Sequence, residues 1–168
     1  IYMPKILLVE DDNNLREIFE MRLQAEGYDT VTAADGEEGL AVAMKEKPDL
    51  VIADVMMPKL SGFEMLETLR ASPEMKGAKV VMMTALGQAE DRTRGEKLAV
   101  IKYLVKSQIT LEDFVRVVRE VLQADQAGAA TGAAPAADLS ATSPTTNNLE
   151  REQAMQDDNT QQNNPPAA

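Results

Sequence analysis

The chain contains no cysteine and no histidine. The first absence excludes disulfides, thiolate metal sites and a cysteine nucleophile. The second removes Ser-His-Asp catalysis, imidazole ligands and any phosphohistidine carried on this chain. Long apolar runs are missing too: no stretch approaches the ~20 residues that span a bilayer. The start, Ile1-Tyr2-Met3-Pro4-Lys5, lacks the basic-then-apolar order of a signal segment. A cytoplasmic location with no membrane association is therefore expected. Positive charge is also scarce, and the net charge is −11. Residues 1–123 hold 22 acidic and 16 basic side chains, and beyond them six acidic residues face Arg151 alone. Neither part has a Lys/Arg run, and phosphate repulsion argues against a nucleic-acid surface on this chain.

What is present is a regular alternation. Lys5–Val9 reads as a buried strand that ends in Glu10, Asp11 and Asp12. Leu15, Ile18, Phe19 and Leu23 recur at helical spacing, and Gly27 stops that helix. Tyr28–Ala33 alternates like a strand, and a helix follows the Asp35-Gly36 turn with Leu40, Ala41 and Met44 inward. Leu50–Ala53 is an apolar strand leading to Asp54, and Ser61-Gly62 opens a helix broken near Pro73. Lys79–Thr84 and Val100–Val105 read as strands, Gln88–Leu98 as a helix, and Leu111 to Leu122 as a last helix with an apolar stripe. Five βα units with strands apolar on both faces predict a parallel sheet covered on both sides, a doubly wound α/β fold.

The pattern stops after Gln123. Residues 124–168 are low in complexity, rich in Ala, Thr, Asn, Gln and Pro. Such composition buries too little apolar surface to offset ordering entropy, so a disordered tail or a truncated linker is expected. The expected organisation is a domain over 1–123 without an output domain on this chain.

In such a sheet, ligands bind outside the carboxyl ends of the strands. Those ends carry Glu10, Asp11 and Asp12, then Asp54, Thr84 and Lys106. Clustered carboxylates repel one another unless a cation sits among them, and hard oxygen ligands suit Mg²⁺. A carboxylate can also attack phosphorus to form an aspartyl phosphate, a reaction that needs mainly positioning and charge neutralisation. Taken singly, Asp12 is a helix cap, Asp54 a turn residue, Thr84 a strand residue and Lys106 a surface charge. Together at one rim, they point to metal-assisted phosphorylation.

Four stretches, Ile6–Asp12 (ILLVEDD), Asp54–Gly62 (DVMMPKLSG), Val80–Ala85 (VVMMTA) and Tyr103–Lys106 (YLVK), make residues 4–123 resemble the receiver domain of two-component response regulators. The resemblance implies a flavodoxin-like (βα)5 sheet in the order 2-1-3-4-5 of the chemotaxis receiver. It implies a phosphoacceptor signalling domain and not an enzyme. Asp54 would take its phosphoryl group from a phosphohistidine on a sensor histidine kinase. Asp12 and Asp54 would ligate Mg²⁺ with the Met56 carbonyl, and Asp11 would act through water. Lys106, Thr84 and the Ala85 N–H would contact the phosphoryl group, and Thr84 and Tyr103 would move together as the switch that presents a surface to a downstream protein.

Departures from the family pattern carry their own expectations. Ser107 follows Lys106 where the family has proline, so this peptide bond is expected to be trans. Met56 and Leu86 offer no polar group to orient a water, which predicts a long-lived aspartyl phosphate. Ala99, Val100, Ile101 and Lys102 are unusually apolar for a surface turn. Val100, Ile101 and Val117 would enlarge a face of the fourth helix, fifth strand and fifth helix that serves a homodimer or partner; local core packing is the competing account. Two rival readings remain open. An Asp-nucleophile phosphatase would place a second Asp where Met56 stands, and a pseudo-receiver would bind protein without being phosphorylated.

Overall fold

The computed structural model describes residues 1–85 and 89–130. Five strands alternate with five helices: β1 (Lys5–Val9), α1 (Asn13–Ala25), β2 (Asp29–Ala33), α2 (Gly36–Glu46), β3 (Leu50–Asp54), α3 (Gly62–Ala71), β4 (Lys79–Thr84), α4 (Ala89–Lys97), β5 (Lys102–Val105) and α5 (Leu111–Ala130). All strand pairs are parallel, in the order β2-β1-β3-β4-β5. This is the doubly wound sheet expected from the alternation, in the flavodoxin-like strand order that the resemblance implies.

Period-two alternation divides the strand side chains between two layers. Leu7, Val9, Val51, Ala53, Val80 and Met82 pack beneath α2 and α3 with Ala43, Phe63, Leu66 and Leu69. Ile6, Leu8, Leu50, Ile52, Val81 and Met83 pack on the other side against Phe19 and Leu23 of α1 and Phe114, Val115 and Val118 of α5. The rings of Phe19 and Phe114 lie 4.4 Å apart. Nearly every central-strand side chain is fully buried, so each contributes on the order of 1.5–3 kcal/mol.

Side chains set the helix starts. Asp12, Asp35 and Ser61 cap α1, α2 and α3 by accepting from the backbone N–H of Leu15, Glu38 and Glu64. At Ser61 the Glu64 carboxylate returns a bond to the cap N–H, completing a capping box.

Three boundaries differ from the sequence expectation. The second strand begins at Asp29, with Tyr28 packed against the core instead. The fifth begins at Lys102 and not Val100, because α4 ends in a backbone turn that consumes the intervening residues. There Val100 N–H donates to Gly95 O at 2.9 Å and Ala99 N–H to Glu96 O at 3.2 Å, with Ala99 at φ 56. These two bonds are a Schellman motif, in which the left-handed residue is ordinarily glycine. Finally, α5 continues past Gln123 to Ala130. Leu86, Gln88 and the remainder of the expected tail, 131–168, lie outside the described residues.

Arg70 closes this region from the α3 side. Its guanidinium donates to Lys76 O, Ala78 O and Leu98 O at 2.7–2.8 Å and to Ala99 O at 3.3 Å. Two of those acceptors are carbonyls at the carboxyl end of α4, where a cation also complements the helix dipole. No helix among the described residues is long and apolar enough to cross a membrane.

Candidate functional site

The carboxyl edge of the sheet gathers the polar residues that the core excludes. Glu10, Asp54 and Thr84 are the buried polar or charged residues among those described, and all three stand at strand ends. Asp54 closes β3, with Oδ1 accepting from Met56 N–H at 3.2 Å and Oδ2 accepting from the Lys106 ammonium. Lys106 lies just past β5, and its backbone N–H donates to Thr84 O at 2.8 Å, tying the lysine loop to the end of β4. The Lys106–Ser107 bond is trans, as are all described peptide bonds.

Lys106 Nζ also approaches Glu10 Oε2 at 2.6 Å. That contact is a charge pairing without hydrogen-bond alignment, and Oε2 has no other donor. Glu10 Oε1 accepts from Asp12 N–H at 3.1 Å. Burial pushes the Glu10 carboxyl above its ordinary pKa, partly opposed by Lys106 and the Asp12 N–H. For Lys106, burial acts to lower the ammonium pKa, but Asp54 and Glu10 outweigh it and hold the value above normal.

Carboxylate oxygens of Glu10, Asp11 and Asp54 lie within 4.8 Å of one another. Three carboxylates against one ammonium leave a local excess of negative charge. Such a set suits a hard divalent cation of the Mg²⁺ type. Asp12, expected as a direct ligand, stands outside this group: its Oδ1 accepts from Leu15 N–H at 3.0 Å as the α1 cap. The residue overlooked in its place is Glu10. The usable signal was the helix start: Asp12 directly precedes α1 and caps it, which leaves Glu10 and Asp11 as the acids at the strand end.

The remaining expected residues fall into two groups. Thr84 is buried beside the site, while Ala85 and Met56 are exposed at its mouth. Tyr103 lies farther along β5, half-buried, with its hydroxyl donating to Asp91 O of α4 at 2.7 Å. Burial raises its phenol to about 12, with Asp91 adding to the effect. Its ring faces Phe63 at 6.5 Å, and the Arg94 guanidinium covers the Phe63 ring at 5.0 Å while binding Glu67. Of the expected interface residues, Val100 and Val117 pack partly against the two cores, and Ile101 is 46% exposed.

A doubly wound parallel sheet with this acid-and-lysine edge is an arrangement shared with a family of signalling domains. The family model described as response regulator receiver domain matches residues 6–129, and the chain belongs to that family. It is 46% identical over 106 residues to the probable transcriptional regulator ycf27 of Cyanophora paradoxa, covering 63% of this chain and 43% of that protein. It is 36% identical over 121 residues to the DNA-binding dual master transcriptional regulator RpaA of Synechocystis, covering 72% of this chain and 50% of the relative. The chain thus spans half or less of these curated relatives. Among solved structures, chemotaxis protein CheY4 of Vibrio cholerae matches at TM-score 0.68 and 33% identity over 71% of this chain and 99% of that one. A CheY-like receiver domain protein from Methanospirillum hungatei matches at TM-score 0.70 and 26% identity, over 76% and 99%.

Proposed function

We propose that Asp54 accepts a phosphoryl group from a phosphohistidine on a sensor histidine kinase, and that the chain acts as a phosphorylation-dependent switch in the cytoplasm. The observation carrying this reading is the buried Asp54 carboxylate paired with the Lys106 ammonium, which also reaches a second buried acid, Glu10. An Asp54 oxygen attacks phosphorus, a P–O bond forms, and the P–N bond of the donor breaks with its electron pair returning to the imidazole. The Met56 N–H and Lys106 hold the carboxylate while this happens. Lys106 then neutralises charge on the transferred group, with Thr84 and the Ala85 N–H placed at the adjacent strand end to hydrogen-bond it.

Glu10, Asp11 and Asp54, with the Met56 carbonyl, would hold Mg²⁺, and Asp12 would serve α1 instead. The cation supplies charge neutralisation at the phosphoryl oxygens. Met56, 75% exposed and apolar, gives no group to orient an attacking water, favouring a slow loss of the phosphoryl group. Thr84 and Tyr103 act as the switch. Ile101, flanked by Val100 and Val117, belongs to the face that meets a downstream protein or a second copy. Contact with DNA, as in the relatives named transcriptional regulators, would belong to a part other than this receiver unit.

Incubation with acetyl phosphate and Mg²⁺ tests the reading. Intact mass should rise by one phosphoryl group in the native chain and not in Asp54→Ala. No gain in the native chain overturns it and leaves a pseudo-receiver that binds protein without chemistry.

A further inference from the structure

Gly95 sits in the interior of α4, where glycine is the least favourable residue short of proline. It is the one buried residue among the described side chains of that helix. A Cβ built on Gly95 would overlap the hydroxyl oxygen and Cζ of Tyr103 and lie 2.6 Å from its Cε2, where real Cβ atoms come no closer than about 3.0 Å to anything. All three nearest atoms belong to that one side chain. The hydroxyl reaches past the missing side chain to Asp91 O at 2.7 Å, the carbonyl that regular helix geometry pairs with Gly95 N–H.

We propose that Gly95 is the seat of the switch tyrosine: the notch left by its absent side chain admits Tyr103 against α4, and residue 95 thereby sets how Tyr103 is positioned. This deepens the reading of Tyr103 as a switch and rests on it. The geometry leaves two exclusive arrangements. Either residue 95 has no side chain and Tyr103 lies inward between Phe63 and α4, or residue 95 carries a Cβ and the ring must leave. The same notch explains a glycine that helix propensity opposes. Gly95 is a positioning residue, acting on the site only through Tyr103. A partner surface that includes α4 would then read the seated or unseated state of one ring.

The test compares Gly95→Ala, Tyr103→Ala and the double variant, with the tyrosine Cζ carbons labelled for NMR titration. In the native chain Tyr103 should titrate near 12. In Gly95→Ala it should fall toward the ordinary phenol value of about 10. Gly95→Ala should lower the melting temperature when Tyr103 is present and raise it in the Tyr103→Ala background, where only helix propensity remains. A merely local role for Gly95 would give the same sign in both backgrounds, and that result overturns the proposal. A Tyr103 titration unchanged by Gly95→Ala overturns it equally. Should Gly95→Ala fail to fold, recovery of folding in the double variant supports the seat, and failure to recover refutes it. Acetyl phosphate labelling of Asp54 should be retained in Gly95→Ala. Absence of labelling in the native chain would instead overturn the phosphoacceptor reading, leaving the titration and the cycle as a test of the seat alone.

Discussion

Replacing Ala99 with glycine should stabilise this protein, and the opposite change at Gly27 should weaken it by a similar amount. Both residues end a helix in the same way. After α1, Gly27 N–H donates to Gln24 O and Tyr28 N–H to Leu23 O, with Gly27 at φ 88. After α4, Ala99 and Val100 make the equivalent bonds with Ala99 at φ 56. A left-handed alanine costs roughly 1–2 kcal/mol because its Cβ crowds a carbonyl oxygen. Glycine avoids that strain but loses about 0.5–1 kcal/mol more chain entropy on folding. The Ala99 side chain is exposed, so its removal gives up little packing. The balance is a gain of about 0.5–1 kcal/mol, or a melting temperature higher by roughly 2–5 °C for a domain of this size. At Gly27 a Cβ would meet nothing within 4 Å, so Gly27→Ala isolates the backbone term and should lose about the same. Thermal unfolding followed by circular dichroism at neutral pH measures both. If Ala99→Gly is neutral or destabilising while Gly27→Ala loses stability, the left-handed strain assigned to Ala99 is wrong.

Glu10→Gln should weaken Mg²⁺ binding about tenfold by calorimetry, in the range seen when groups supporting a metal site are altered. The raised Glu10 carboxyl contributes stability that is fully present below its unfolded pKa and lost as pH rises through its higher folded value, so the metal-free variant should lose that part of the pH dependence. Lys106→Met leaves Asp54 and Glu10 buried without their shared cation and should cost about 2–4 kcal/mol in urea unfolding without metal, less with Mg²⁺ present. Met56→Asn should shorten the lifetime of the aspartyl phosphate; an unchanged decay rate removes the role given to its apolar side chain.

The architecture was legible in residues that behave periodically. KILLV, LVIA and KVVMMT are strands buried on both faces, and nothing short of a covered parallel sheet accommodates them. Asp54 and Lys106 were legible for the same reason, since each follows directly from an apolar run. What escaped depended on half a turn or one step of chain. Asp11 and Asp12 look equivalent in a string of three acids, but capping α1 claims Asp12 and leaves Glu10 and Asp11 as the acids at the strand end. Val100 and Ile101 read as strand because they are β-branched. Yet the Schellman turn at Ala99 takes Val100, and Ile101 only donates to Val80 O as the chain approaches the sheet. The meeting of Gly95 with Tyr103 joins a helix to a strand with no period to announce it.

The four carbonyls held by Arg70 give α4 a mechanical character. That guanidinium grips the helix at its carboxyl end, near where β4 and β5 begin and therefore at the edge of the sheet away from Asp54. Tyr103 holds the same helix nearer its amino end by one hydrogen bond to Asp91 O. The first attachment is multiple and the second single, and between them the exposed Arg94–Glu67 pair links α4 to α3. Freed from the tyrosine and from the exposed Arg94–Glu67 pair, α4 would pivot, with Arg70 as fulcrum. Displacement would then grow along the helix toward Ala89, so the chemistry at Asp54 would be broadcast as an angle whose largest sweep lies at the end of α4 nearest the site.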